Sequence, residues 1–212
     1  GGCYLDFMSG QYRINLLEPK AWSDGQPELD YAAEGDGIVP EAFRKATRLS
    51  QHIAFLKDFF RSYKDFSDSH IDAIEIMVSR LYAKYGITDS TDFDRLQPSD
   101  YPVLSDLYDL IEEEYKGYEQ GQKFLFTEEL LRDICLGLYS MCKGEEARFF
   151  NGHTNITDSM FICFGVKGLL EANKCVKDAM LFNVLSYMSN ELLTKGNAVA
   201  SVDELYLFLS NL

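Results

Sequence analysis

The 212-residue chain has no GxxxxGK[ST] stretch anywhere. It therefore lacks the glycine-rich loop whose backbone cradles phosphates ahead of a lysine. No apolar run approaches the roughly 18 residues that cross a bilayer, which excludes a transmembrane helix by pattern. There is no leader pattern, so the cytoplasm is the expected compartment. Cysteine is scarce: Cys3, Cys135, Cys142, Cys163 and Cys175 make an odd count with no CxxC pair. That argues against a disulfide framework and a zinc site and for reduced, structural thiols. His52 and His70 fall on helical stretches without matching ligands, so a metal site is not expected there. Basic charge is also short, with 20 Lys and Arg against 34 Asp and Glu and a net charge of −14. Residues 65–119 alone hold 14 acidic and 4 basic side chains, a net of −10. Such a surface repels phosphate backbones, so direct DNA binding by this segment is not expected. It suits either a solvated helical face or a docking surface for a basic partner.

What is present is most telling near the end, in NAVASVDELYLFLSN over 197–211. Ala198, Val199, Ala200, Ser201 and Val202 form a small and β-branched run ending in Asp203-Glu204. A buried strand of this kind delivers two carboxylates to its carboxyl edge, where ligands of α/β sheets sit. This is the pattern of a Walker B strand. Asp203 would hold Mg²⁺ through water, and Glu204 would orient or deprotonate the attacking water. With no phosphate loop beside it, the chain reads as part of an ATPase, cut after that loop and just past the Walker B strand. Alone, it is expected neither to bind ATP tightly nor to turn it over.

The remaining pattern changes period twice. Cys3–Leu5 and Tyr12–Leu17 read as two short strands about a Ser9-Gly10 turn, with Pro19 ending the second. Residues 20–39 lack periodicity and read as a loop. Phe43, Ala46, Leu49, Ile53, Leu56 and Phe60 then recur at helical steps. A second helix is expected over Ser69–Lys84, with Ser69 and Asp72 spaced as a capping box. A third starts at Ser99, Asp100 and Pro102, and a fourth follows Thr127. Cys142–Ser159 reads as a shaped loop, Met160–Val166 as a buried central strand, and Ala172–Leu193 as a long helix stopped by Gly196. Strand, helix and Walker B strand make a βαβ unit, which calls for a parallel sheet.

Four stretches together resemble the conjugative-transfer ATPases of type IV secretion systems, the TraC/TraE-type, VirB-class members of the HerA/FtsK-like P-loop superfamily. Gly1-Gly2-Cys3 followed by Ile14-Asn15-Leu16-Leu17-Glu18-Pro19 is similar to the family's GG…INPLEP segment, with Leu16 where many members have Pro. Phe149-Phe150-Asn151-Gly152-His153-Thr154-Asn155 resembles its FDG/FNG loop. Phe161–Leu170 resembles the strand before the long helix, and Val202-Asp203-Glu204 the Walker B ending, here followed by Leu205-Tyr206. The order and spacing span the whole chain. The resemblance implies a mainly α chain with a small α/β part: a partial RecA-like sheet carrying an all-helical inserted subdomain. Residues 1–39 would be sheet-proximal strands and loop, 40–140 the insertion, and 141–212 the βαβ segment. It further implies ATP and Mg²⁺ as cofactors of the full-length protein, hexamers, partners among secretion-channel proteins, and a place peripheral to the cell membrane.

Three further residues draw attention. Arg148 could act across a subunit interface, or pair with Glu145 or Glu146. His153 could contact phosphate or a neighbouring subunit, or serve as a local hydrogen-bond partner. Lys167 sits just past the Met160–Val166 strand, at a sheet's carboxyl end. The rival to a motor ATPase is a non-catalytic acidic interaction module of the same apparatus.

Overall fold

The structure is a computed structural model that describes residues 2–22, 46–118, 125–156 and 159–201. Two strands, β1 (Gly2–Asp6) and β2 (Phe161–Gly165), form a parallel pair in the register Gly2 to Phe161 through Asp6 to Gly165. Between them run α1 (Arg48–Tyr63), α2 (Asp68–Lys84), α3 (Leu104–Lys116), α4 (Glu128–Cys142) and the single turn α5 (Ala147–Phe150). After β2 comes α6 (Lys174–Lys195). The chain is thus mostly helical with one small parallel sheet.

The helices form where the apolar period asks for them. In α2, Ile71, Ile74, Met77, Val78 and Leu81 are all buried on one stripe. Thr127 caps α4 by accepting from the Leu130 amide at 3.1 Å. Gly196 ends α6 at φ 69°, a left-handed turn that costs glycine nothing. Helix α1 carries the core between halves, packing on α2 at one flank and α6 at the other. Its Phe59 and Tyr63 meet Phe150 edge to face, with ring centroids 6.3 Å apart in both pairs, and its Phe55 stacks on Phe182 of α6 at 5.6 Å.

Four expectations are corrected. The capping box of α2 is Ser67 with His70, not Ser69 with Asp72, because the helix begins at Asp68 and Asp72 lies a turn inside. Helix α3 starts at Leu104, where Asp106 accepts from the Val103 amide at 2.8 Å. Residues Pro98–Asp100 form a separate 3₁₀ turn, and Tyr101, ahead of Pro102, is held extended. Strand β2 is not a buried central strand: Phe161 and Cys163 are exposed while Ile162 and Phe164 are half-buried, the alternation of a sheet covered on one face. Finally, Tyr12–Leu17 is not a strand, for reasons that lead to the site. The expected start of the first helix at Phe43, most of the 20–39 loop, and the Walker B carboxylates lie outside the described residues.

Candidate functional site

Residues Ile14–Leu17 are buried and pair with no strand among the described residues. Buried backbone groups must still find partners. Here side chains supply them. The Asn15 amide donates to Thr154 Oγ1 at 3.0 Å, and the Arg13 amide to Asn155 Oδ1 at 2.7 Å. Asn183 Nδ2 donates to the Ile14 carbonyl at 2.8 Å, and the Tyr82 hydroxyl to the Leu17 carbonyl at 2.8 Å. Asn15 itself works twice: its Nδ2 donates to the Pro102 carbonyl at 2.9 Å, and its Oδ1 accepts from the Leu17 amide at 3.0 Å. Thr154 closes the clasp by donating to Glu18 at 2.6 Å. Two segments about 140 residues apart in sequence, INLLEP and FNGHTN, are therefore one unit in space.

Beneath the clasp lies a buried polar cluster. His52 Nε2 donates to the Leu16 carbonyl at 2.7 Å, and Nδ1 accepts from the Lys20 amide at 3.3 Å. This fixes the neutral Nε2–H tautomer. Burial, then the Lys20 charge, hold its pKa well below the usual imidazole value. Lys20 is buried, and its Nζ donates to the Asn15 carbonyl at 3.3 Å. Burial brings its pKa down to about 8, with Glu18 opposing and Arg48 adding to the shift. The sign follows from linkage. Between pH 8 and 10.5 the unfolded chain holds the lysine proton that the folded chain has released, so stability from this group rises with pH. Below pH 8 the buried charge is a cost on the order of 3 kcal/mol. Lys20→Met is therefore expected to raise the melting temperature at pH 7. Its advantage over wild type should close as pH rises from 8 to 10.5. A variant less stable than wild type at pH 7 would refute a costly buried ammonium.

The carboxyl ends of β1 and β2 carry the charge. After β1 the chain turns through Phe7–Ser9 to Gly10, at φ 73°. After β2 it turns through Lys167–Glu171, and Gly168 lies against Met8. Arg13 Nε donates to the Arg148 carbonyl at 3.2 Å, and its Nη2 to the Gly10 carbonyl at 3.5 Å. A Cβ at Gly152, where φ is 150°, would sit 2.8 Å from Arg13 Cδ. Only glycine suits that position, by dihedral and by space. The Arg148 side chain runs across Gly10 and covers the Phe149 ring at 4.6 Å.

Taken whole, this arrangement of helices, sheet edge and clasp can be set beside known proteins. No family model matches the sequence, and no curated protein matches it. A solved structure does: VirB4 of Thermoanaerobacter pseudethanolicus, with a TM-score of 0.75 and 25% identity. The chain is similar to VirB4 along almost its whole length. The match covers 98% of this chain and 48% of the VirB4 chain, so it spans about half of VirB4. The likeness supports a relation to VirB4 and extends across both the helices and the sheet edge.

Within this VirB4-like frame the sequence-predicted residues separate. Asp203 and Glu204 lie outside the described residues. Arg148 is exposed and forms no ion pair among the described residues; of its two expected partners, Glu145 and Glu146, the second is taken by the Tyr63 hydroxyl. His153 is exposed and makes no hydrogen bond among the described residues, although Asn151, Thr154 and Asn155 around it all do. Lys167 is exposed at the end of β2. Sequence reading passed over Arg13, Asn15, Lys20 and His52 as working residues. A polar residue inside an apolar run, as Asn15 is in Ile14–Leu17, was the available signal. Cys142 is buried and its thiol pushed up to about 12 by burial, but Cys163 and Cys175 are exposed and fill no core. The described residues hold no cluster of three or more His, Cys, Asp or Glu side chains that could seat a metal ion.

Proposed function

We propose that this chain supplies the helical subdomain and adjoining sheet edge of a type IV secretion ATPase of the VirB4 kind. One observation carries the reading: a likeness to VirB4 over 98% of the chain at a TM-score of 0.75. The packing of the INLLEP and FNGHTN segments against each other supports it, because both belong to the resemblance read from the sequence. The working protein would hydrolyse ATP to power assembly or transfer of DNA or protein at a membrane channel. It would act as a hexamer with other secretion-channel proteins as partners, peripheral to the membrane. No helix among the described residues is long and apolar enough to cross a bilayer. Asp203 would support Mg²⁺ and Glu204 would polarise water at the end of a Walker B strand. The RecA-like sheet and the division at about residues 40 and 140 belong to the same proposal.

The test is calorimetry with ATP and Mg²⁺ on this chain and on a chain extended upstream through a GxxxxGK[ST] loop. Binding by the longer chain only, weakened about tenfold or more by Asp203→Ala, is the expected outcome. Absence of binding by both would favour a non-catalytic interaction module. That second reading has its own observation: α4 exposes Leu136 and Tyr139, and Tyr139 packs against Tyr108 beside the exposed acid Asp109 of α3.

A further inference from the structure

We propose that His52 is an acid-releasable latch: a proton on its Nδ1 frees the Lys20–Trp22 strap from α1 while the clasp above it stays shut. One ring fastens two segments. His52 lies on α1 and has 0% exposure. Its Nε2–H donates to the Leu16 carbonyl at 2.7 Å, inside the clasp. Its Nδ1 lone pair accepts from the Lys20 amide at 3.3 Å and from the Trp22 indole Nε1–H at 3.4 Å. The Trp22 ring lies 6.1 Å from the imidazole and 4.6 Å from Phe55, between centroids. Two further ties hold the strap. Arg48 donates to the Pro19 carbonyl at 3.0 and 2.9 Å, and Asn190 of α6 accepts from the Ala21 amide at 2.8 Å.

Protonation acts on the two nitrogens differently. An imidazolium donates from both. The Nε2–H bond to Leu16 survives, so the clasp keeps it. Nδ1 turns from acceptor to donor and then faces two N–H groups with no lone pair to offer them. Two hydrogen bonds become opposed donors at a buried position, where unsatisfied polar groups are most costly. The new charge is buried there as well, unpaired. Freeing the strap relieves both, because water then reaches Nδ1.

The groups around the ring set the sign. Burial first, then the Lys20 charge, hold the imidazole well below 6.5, with the Leu16 carbonyl opposing and Arg48 adding to the shift. Glu18 faces both Lys20 and Arg48, and from the loop before α3 Asp94 and Tyr101 face Arg48. Helix α2 brings the Tyr82 hydroxyl, given to the Leu17 carbonyl, and α6 brings Asn183 and Asn190, which do not titrate. Above pH 6.5 the imidazole is neutral whether the strap is fastened or free. Below it, the freed imidazole takes a proton that the fastened one refuses. Each further pH unit therefore favours release about tenfold, until the fastened ring titrates as well. Acid thus unfastens this flank of α1 without parting INLLEP from FNGHTN.

Trp22 is the sole tryptophan, so its emission reports on the strap directly. The 212-residue chain is acidified from neutral pH while Trp22 emission and far-UV circular dichroism are followed together. A red shift that sets in below pH 6.5 and is complete before helical ellipticity falls is expected. The chain has three histidines. His70→Gln and His153→Gln should keep the red shift and His52→Gln should abolish it, since a carboxamide takes no proton in this range. Lys20→Met removes a buried cost from the fastened state and should move the red shift to lower pH. If His52→Gln fails to fold, the imidazole proton resonances decide. The signal present in both His70→Gln and His153→Gln is His52, and its midpoint should coincide with that of the emission. Emission that changes only together with ellipticity, a red shift that persists in His52→Gln, or a His52 midpoint displaced from the emission midpoint overturns the latch.

Discussion

Asn15→Ala will destabilise the chain by about 2–6 kcal/mol, read as a loss in urea midpoint at unchanged slope. The reason is what the amide leaves behind. Its Nδ2 serves the Pro102 carbonyl and its Oδ1 serves the Leu17 amide, both at buried positions. Alanine removes both partners and offers no route for water to replace them. Each orphaned buried group costs about 1–3 kcal/mol. Asn15→Asp will not rescue, because a carboxylate keeps the Leu17 bond but faces the Pro102 carbonyl with no proton to give. His153→Ala, four residues beyond Phe149 in the facing loop, is the matched control: the exposed imidazole makes no hydrogen bond among the described residues, so its loss should stay within about 0.5 kcal/mol. An Asn15→Ala chain as stable as wild type would mean the clasp does not hold the fold.

Phe150→Ala will cost about 3–5 kcal/mol through a cavity that the core cannot close. Phe150 is fully buried and meets Phe59 and Tyr63 edge to face. Those rings sit on α1, which packs on two neighbouring helices and has little room to shift. The substitution also loosens the turn that presents Arg148 and Asn151, whose Oδ1 accepts from the Ser105 amide at 2.9 Å. Phe161→Ala, on an exposed ring of β2, should by contrast cost little despite deleting the same atoms. Thermal unfolding of the two variants side by side checks this; equal losses would place the core elsewhere. Phe150 and Asn15 lie in segments joined by one set of hydrogen bonds, so their double variant is expected to fall short of additivity.

The resemblance read from four short stretches is consistent with the structural likeness to VirB4, and it located the loop and the segment that turn out to touch. It could not say that they touch. Tyr12–Leu17 reads as a strand because its residues favour extended backbone, but the chain turns at Leu16-Leu17, where the Glu18 amide donates to the Asn15 carbonyl at 3.2 Å. What distinguishes a strand from a clasp is who supplies the hydrogen bonds, and that is decided by residues about 140 positions away. The same holds for charge. Arg148 beside Glu145 and Glu146 looks paired in sequence, but the turn of α5 sends Glu146 inward to Tyr63 and leaves the guanidinium outside.

By itself, then, the sequence determined the bodies of α2, α4 and α6, because periodicity and stop glycines act within a few residues: the buried stripe of α2, the Thr127 cap and the Gly196 stop are all local. It also determined that a strand lies near 160–166. Only the tertiary structure decided that β2 has one open face, that Lys20 and His52 are buried together, and that Arg13 donates to the Arg148 carbonyl 135 positions away. Burial and pairing depend on what arrives from far along the chain, and no local pattern encodes the far partner.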